Sequence, residues 1–356
     1  MNRFCKAVLA LVAATALAAC GGSDADAGIS VFDSSASSPT GGSGGSTTPG
    51  GGISTVSNGV ASQRFMSISV EKYNLNWAID GDTTTVQVYV ADTAGNPVPN
   101  GSVVQFSTEG GQIVTSCQTT GTQNGTAVIS GCNVTFNTQD FRPIDGFARI
   151  IAWMVGEEAY KDMNANGQYD TGEPFVDTGR IFRDDDDSGN YSATFDELSI
   201  GATLSGAPGI GTSACAPPTE PVNINEVPLS VDNTCDGVWG TTLIRRTVVL
   251  PISDPRDLRI EGSGGGVIVY TAGGAYPSPF RKAAPAGTTV TASNPPAGCT
   301  VTVSPTEVSV VSVYETVHRI EGKGSTTDPS ACSGKTVLVE AKFQNYGTAS
   351  VIYTFP

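Results

Sequence analysis

From about residue 64 onward, apolar and polar positions alternate in short runs, and helix-period stretches are scarce. Thr85-Val86-Gln87-Val88-Tyr89-Val90 has period two and predicts a strand with one buried face. Val103-Val104-Gln105-Phe106-Ser107 alternates again after a turn-rich stretch, and Gly125 to Ile129 and Ala148 to Trp153 predict further strands. Past Pro255 the same style recurs at Asp257–Ile260, Gly266–Tyr270, Pro285–Ala292, Val308–Tyr314, Lys335–Ala341 and Ala349–Thr354. Short strands separated by turn signals predict an all-β chain of two sandwiches in tandem. With 43 Gly and 21 Pro in 356 residues, turns are plentiful.

The alternation is broken twice. Residues 21 to about 60 are Gly, Ser, Thr, Pro and Ala, as in Gly41-Gly42-Ser43-Gly44-Gly45-Ser46, and carry too little apolar surface to offset the entropy of ordering. They read as a flexible tether. The second break is acidic: residues 157–197 hold twelve of the 34 acids of a chain whose net charge is −15. A nucleic-acid partner would want a basic face, and the sequence shows none.

Within that acidic stretch, Asp162 to Glu173 satisfies the pattern D-x-[DN]-x-[DN]-G-x5-E at every constrained position. Such a loop places oxygens at positions 1, 3, 5, 7, 9 and 12, with glycine at 6 for the sharp turn. Here these are Asp162, Asn164, Asn166, the Gln168 carbonyl, Asp170 and Glu173, a donor set suited to Ca²⁺. Pro174 and Gly179 argue against the flanking helices of an EF-hand; the loop resembles those of dockerin-like and thrombospondin-repeat-like proteins. A poorer second loop begins at Asp184, with Asp186, Ser188 and Gly189 at positions 3, 5 and 6. Its position 12 is Phe195, so Asp196 or Glu197 would have to substitute, or Asp177 and Asp184–Asp187 would complete one shared site.

The N-terminus carries Arg3 and Lys6, an apolar run from Ala7 to Ala16, then Leu17-Ala18-Ala19-Cys20. This resembles the lipobox of bacterial lipoproteins, which implies cleavage before Cys20 and lipid on its sulfur. Gly21 rather than Asp in the next position implies the outer membrane. The expected organisation is therefore a signal peptide at 1–19, a lipidated cysteine and tether at 20–62, a first sandwich at 63–255 with an insertion near 157–197, and a second sandwich at 256–356.

Six cysteines remain after Cys5 and Cys20, an even number that favours disulfides in an exported chain. Fifteen pairings are possible. The simplest joins nearest neighbours, Cys117–Cys132, Cys215–Cys235 and Cys299–Cys332. A zinc site is the rival, but no C-x-x-C occurs and the single histidine is His318.

Val90-Ala91-Asp92-Thr93-Ala94-Gly95-Asn96-Pro97-Val98-Pro99, with the Val103–Phe106 strand, resembles bacterial Ig-like domains of the invasin–intimin type. The resemblance covers about residues 64–155 and implies a Greek-key sandwich used as a surface stalk or adhesive module, with a cell-surface protein or glycan as partner. Where that family closes its domain, this chain inserts the acidic segment, and Thr241–Leu250 is the candidate displaced last strand. No G-x-S-x-G nucleophile elbow is present. His318, in an alternating strand, reads as a surface residue, and Trp77, Trp153 and Trp239 read as core or turn residues. The chain is expected not to be an enzyme. A glycan- or polymer-binding surface module is the alternative, and an extracytoplasmic hydrolase a distant one.

Overall fold

A computed structural model describes residues 59–124, 127–194, 196, 207–222, 229–272 and 281–356. The signal segment, Cys20 and most of the tether lie outside them. Sixteen strands and two short 3-10 turns make up the regular structure of the described residues, and the strand ladders are antiparallel.

The first sandwich faces one sheet against another. One sheet joins β1 (Ser67–Val70), β2 (Thr83–Val90), β7 (Ala127–Asn137) and β4 (Gln112–Ile113), with β6 (Thr120–Asn124) also on β7. The other has the order β5 (Ser116–Gln118), β3 (Val103–Thr108), β8 (Phe147–Glu157), β9 (Thr241–Pro251). Alternation does what the sequence requires: Val86, Val88 and Val90 of β2 and Val104 and Phe106 of β3 point into one core with Trp77, Phe136, Ile150 and Leu250. The turn after β2 is fixed by Asp92. Its Oδ1 accepts the N–H of Ala94 (3.0 Å) and of Asn96 (2.8 Å), and Gly95 takes the positive φ (+82°) that the turn needs.

β8 and β9 pair along their whole length, from Phe147↔Pro251 to Glu157↔Thr241. Residues 158–240 therefore intervene between two adjacent strands, a longer insertion than the acidic stretch alone. Its described parts cover the outer face of β8 and β9. Ile151, Leu243 and the insertion's Ile181 form a separate buried cluster there, with Trp153 against it. This explains why β8 is buried on both faces, and why its sequence runs apolar without alternating.

The second sandwich follows at once. One sheet has the order β10 (Leu258–Ser263), β11 (Gly266–Thr271), β14 (Thr316–Gly324), β13 (Cys299–Ser304); the other has β12 (Thr289–Ser293), β15 (Thr336–Phe343), β16 (Gly347–Thr354). Val267, Val269, Val290, Val339 and Ala341 are fully buried between them. His318 is fully buried rather than at the surface. Its parity on β14 turns it inward, and its ring nitrogens meet the Pro305 carbonyl (2.7 Å) and the Thr316 hydroxyl (2.9 Å), while the neighbouring Val317 faces solvent.

All three nearest-neighbour disulfides are present. Cys117–Cys132 ties β5 to β7 across the first sandwich, Cys215–Cys235 closes part of the insertion, and Cys299–Cys332 pins β13 to the segment before β15. Each constrains the unfolded chain, by about 2–4 kcal/mol in such loops.

Candidate metal loops

The insertion leaves the end of β8 as a two-residue-wide stem. Tyr160 bridges Phe175, the Lys161 N–H donates to the Pro174 carbonyl (2.8 Å), and the Val176 N–H donates to the Ala159 carbonyl (2.9 Å). Loop 1, Asp162–Glu173, closes this stem with no flanking helix, as Pro174 requires.

Its first turn is held by side-chain oxygens. Asp162 accepts the N–H of Asn166 (3.2 Å) and of Gly167 (2.7 Å), and Asn164 Oδ1 accepts the Asn166 N–H (3.0 Å). Glu173, buried, reaches back to the N–H of Met163 (2.7 Å) and of Asp170 (3.0 Å). The Asn164 and Asn166 amides each donate to Asp170 Oδ2 at 2.7 Å. The Gln168 N–H donates to Asn166 Oδ1 at 2.8 Å. Among the described residues, the acids whose oxygens converge within 4.8 Å are Asp184, Asp186 and Asp196, not those of loop 1.

Loop 2 repeats the scheme position by position. Asp184 accepts the N–H of Ser188 (3.1 Å) and of Gly189 (2.9 Å), and Asp186 accepts the Ser188 N–H (3.0 Å). The closing carboxylate is Asp196, which accepts the N–H of Asp185 (2.9 Å) and of Ser192 (2.6 Å), the counterparts of Met163 and Asp170. The backbone repeats too: positive φ falls at Ala165 (+58°) and Gly167 (+77°), and at Asp187 (+52°) and Gly189 (+75°). Loop 2 is one residue longer before its closing acid, and that acid is one methylene shorter. Position 12 of the fixed pattern is Phe195, and the closing acid lies one residue beyond it.

The four consecutive aspartates divide by direction. Asp185 pairs with the buried Arg183 (2.5 Å), and Asp187 with the buried Arg149 (2.6 Å). Asp184 and Asp186 instead converge with Asp196, their carboxylate oxygens all within 4.8 Å of one another. Burial, and then the neighbouring carboxylates, push Asp184 above the usual Asp range. Oxygens sharing one Ca²⁺ at 2.3–2.6 Å are at most about 5 Å apart, so these three acids can hold a metal ion. The structure places Asp177 elsewhere: its Oδ2 accepts the Gly237 N–H (3.0 Å) beside the Cys215–Cys235 bridge.

Around loop 1 the charge is negative and the packing aromatic. Burial first, then the charges of Asp162, Glu157 and Glu173, push the Tyr160 hydroxyl up to about 12. Tyr169, at position 8 of the loop, stacks on Trp239 (4.5 Å, 14°), and Tyr160 meets both rings edge-on. Trp239 Nε1 donates to the Glu158 carbonyl (3.0 Å). The Glu158 carboxylate accepts N–H groups from Thr178 (2.7 Å) and Gly240 (3.1 Å), yet burial holds its pKa up at about 8. Loop 1 is thereby tied to the start of β9, a link that no local motif encodes.

No protein-family model matches the chain, and no curated protein matches it. Among solved structures, the adhesin InvE of Yersinia pseudotuberculosis is similar over 83% of this chain, at 10% identity and a TM-score of 0.22. The match covers 60% of that adhesin chain, so this chain spans less than two thirds of its length.

Proposed function

We propose that this chain is a lipid-anchored surface module of the outer membrane, structural or adhesive in role, whose insertion is ordered by Ca²⁺. The observation that carries the calcium reading is the repetition, in two loops, of one hydrogen-bond scheme around carboxylates. Asp162, Asn164, Asn166, Gln168, Asp170 and Glu173 would hold one ion; Asp184, Asp186, Ser188 and Asp196 a second. The ions supply charge neutralisation and order, not chemistry. Anchoring rests on Cys20 in its lipobox context, and the adhesive role on the Ig-like turn at Asp92–Pro99. The partner would be a protein or glycan on another cell.

The cavities differ in charge: a pocket of about 200 Å³ on the first sandwich is lined by Arg149, Arg183, Arg245 and Arg246 with Asp184 and Asp187. A groove of about 670 Å³ on the second sandwich is lined by a single carboxylate, Glu321. A glycan-binding face would want a row of aromatics. Among the described residues the exposed ones, Phe65, Tyr89, Phe141, Tyr314 and Tyr346, lie on different elements.

The test is calorimetry and thermal melting of the mature protein after chelation. Extracellular calcium modules bind with Kd near ~10⁻⁴ M, so 1 mM Ca²⁺ would add about 1.4 kcal/mol per site. The expected result is a binding heat and a rise in melting temperature, reduced in Glu173→Gln and in Asp196→Asn. No heat and no rise at millimolar Ca²⁺ would sink the calcium reading.

A further inference from the structure

The two sandwiches meet through a buried, partly polar junction. The side-chain amide of Asn74 of the first, almost fully buried, donates to the carbonyls of Ala284 (2.7 Å) and Ser309 (3.1 Å) of the second, and the Asn74 backbone carbonyl accepts the Ala286 N–H (3.0 Å). The linker residue Ser253 donates to the Ala283 carbonyl (2.7 Å). At the centre lies Lys282, fully buried, its Nζ 5.9 Å from the Phe147 ring centroid. Phe147 in turn meets Tyr314 of the second sandwich (6.5 Å between rings).

Gly146 makes this approach possible. A Cβ there would lie 2.0 Å from Lys282 Nζ, and its φ of +86° also excludes most side chains. The Gly146 carbonyl accepts the N–H of the linker residue Ile252 (2.8 Å). One residue before it, Asp145 caps the Phe147 N–H (3.1 Å) and lends negative charge to Lys282, partly offsetting the loss of basicity that burial causes.

Asp145 is itself held by Arg149. That guanidinium is 4% exposed and gathers three carboxylates from three segments: Glu109 (2.9 Å), Asp145 (2.7 Å) and Asp187 (2.6 Å). Asp187 comes from loop 2. An exposed ion pair does little by itself. A buried guanidinium that loses one of its partners is a different matter, since the remaining groups must rearrange to satisfy it.

We propose that the insertion is a strap that fixes the angle between the two sandwiches: Asp187, acting through Arg149 and Asp145, holds the Asp145–Phe147 segment against which Lys282 packs. Asp187 is a positioning residue in this scheme. The contact goes beyond the calcium reading and operates through side chains that ligate no ion.

The test measures interdomain order in the mature protein. Spin labels at Thr135→Cys and Ser350→Cys, exposed positions on β7 and β16, report the distance distribution between the sandwiches. A narrow distribution is expected for the parent. Asp187→Asn should broaden it about twofold, and Asp145→Asn should do the same from the junction side. Gly146→Ala, which wedges the junction directly, sets the upper limit. Asp185→Asn is the control, since it disturbs loop 2 through the ion pair with Arg183. An unchanged width in both Asp187→Asn and Asp145→Asn overturns the proposal, as does equal broadening by Asp185→Asn. The series is repeated after chelation: where Ca²⁺ orders the insertion, the parent broadens toward Asp187→Asn and the difference between the two shrinks. A missing calcium heat in these samples counts against the calcium reading alone.

Discussion

Glu158 shows how one residue acquires a property its neighbours in sequence do not announce. Glu157-Glu158 looks like a solvated acidic pair, yet the stem of the insertion and the start of β9 close over Glu158, and burial raises its pKa from 4.5 to about 8. A folded-state pKa above the unfolded one means that the folded protein binds the extra proton. Its contribution is full below about pH 4.5 and is lost as pH rises through about 8. Melting temperature should therefore fall across that window, and Glu158→Gln should flatten the fall. A profile as steep in the variant as in the parent would place the titration elsewhere. Gly167 is the opposite case: its role was legible, because position 6 of the loop pattern demands the positive φ it adopts (+77°). His318 was misread, because alternation gives two faces but not which face is buried. The ladder with β11 turned the imidazole in and Val317 out.

Loop 1, the stem and β9 form a unit through rings rather than ligands. Tyr169 rides on the loop and Trp239 precedes β9, so any ordering of the loop changes the stack between them. Adding Ca²⁺ to chelated protein should alter tryptophan fluorescence, and the change should vanish in Trp239→Phe while calorimetric binding persists. If the signal survives that substitution, the loop is not coupled to β9 in this way. The disulfide elements invite a second measurement. Cys117–Cys132 crosses between sheets, so Cys117→Ser/Cys132→Ser should cost the first sandwich about 2–4 kcal/mol in denaturant unfolding. Cys215–Cys235 lies in the insertion, and its loss should leave the core transition nearly unmoved. Strands such as β2 and β3 were readable from period two, and the first turn of loop 1 from its spacing of Asp162, Asn164, Asn166 and Gly167. Asp196 was not singled out, since a one-residue bulge before a shorter acid defeats a fixed pattern while preserving the hydrogen bonds.

At the scale of the molecule, the described parts of the insertion lie along one face of the first sandwich and engage both ends of β8. Loop 1 departs from its C-terminal end at Glu157, and Asp187 of loop 2 meets Arg149 near its N-terminal end. Limited proteolysis should show this directly. Without Ca²⁺, cleavage should concentrate between residues 158 and 240, leaving both sandwich cores intact. With Ca²⁺ the same bonds should be protected. Equal cleavage in both conditions would mean that Ca²⁺ does not order the strap. Among the described residues no helix is long and apolar enough to cross a membrane. On the proposal of a lipid on Cys20, Cys20→Ala should move the protein out of the membrane fraction.

The sequence by itself determined the strand-forming runs, the turn at Asp92–Pro99, the simplest cysteine pairing and the glycine turn of loop 1. Each of these is local, set by side-chain period, by a backbone conformation only certain residues adopt, or by short spacing. Tertiary structure decided what covers β8, which carboxylate closes loop 2, which aspartates of the four face arginine, and how Gly146 admits Lys282. Those outcomes depend on segments far apart in the chain meeting in a low-dielectric interior, where an arginine must find its acids and a missing Cβ becomes room for an ammonium.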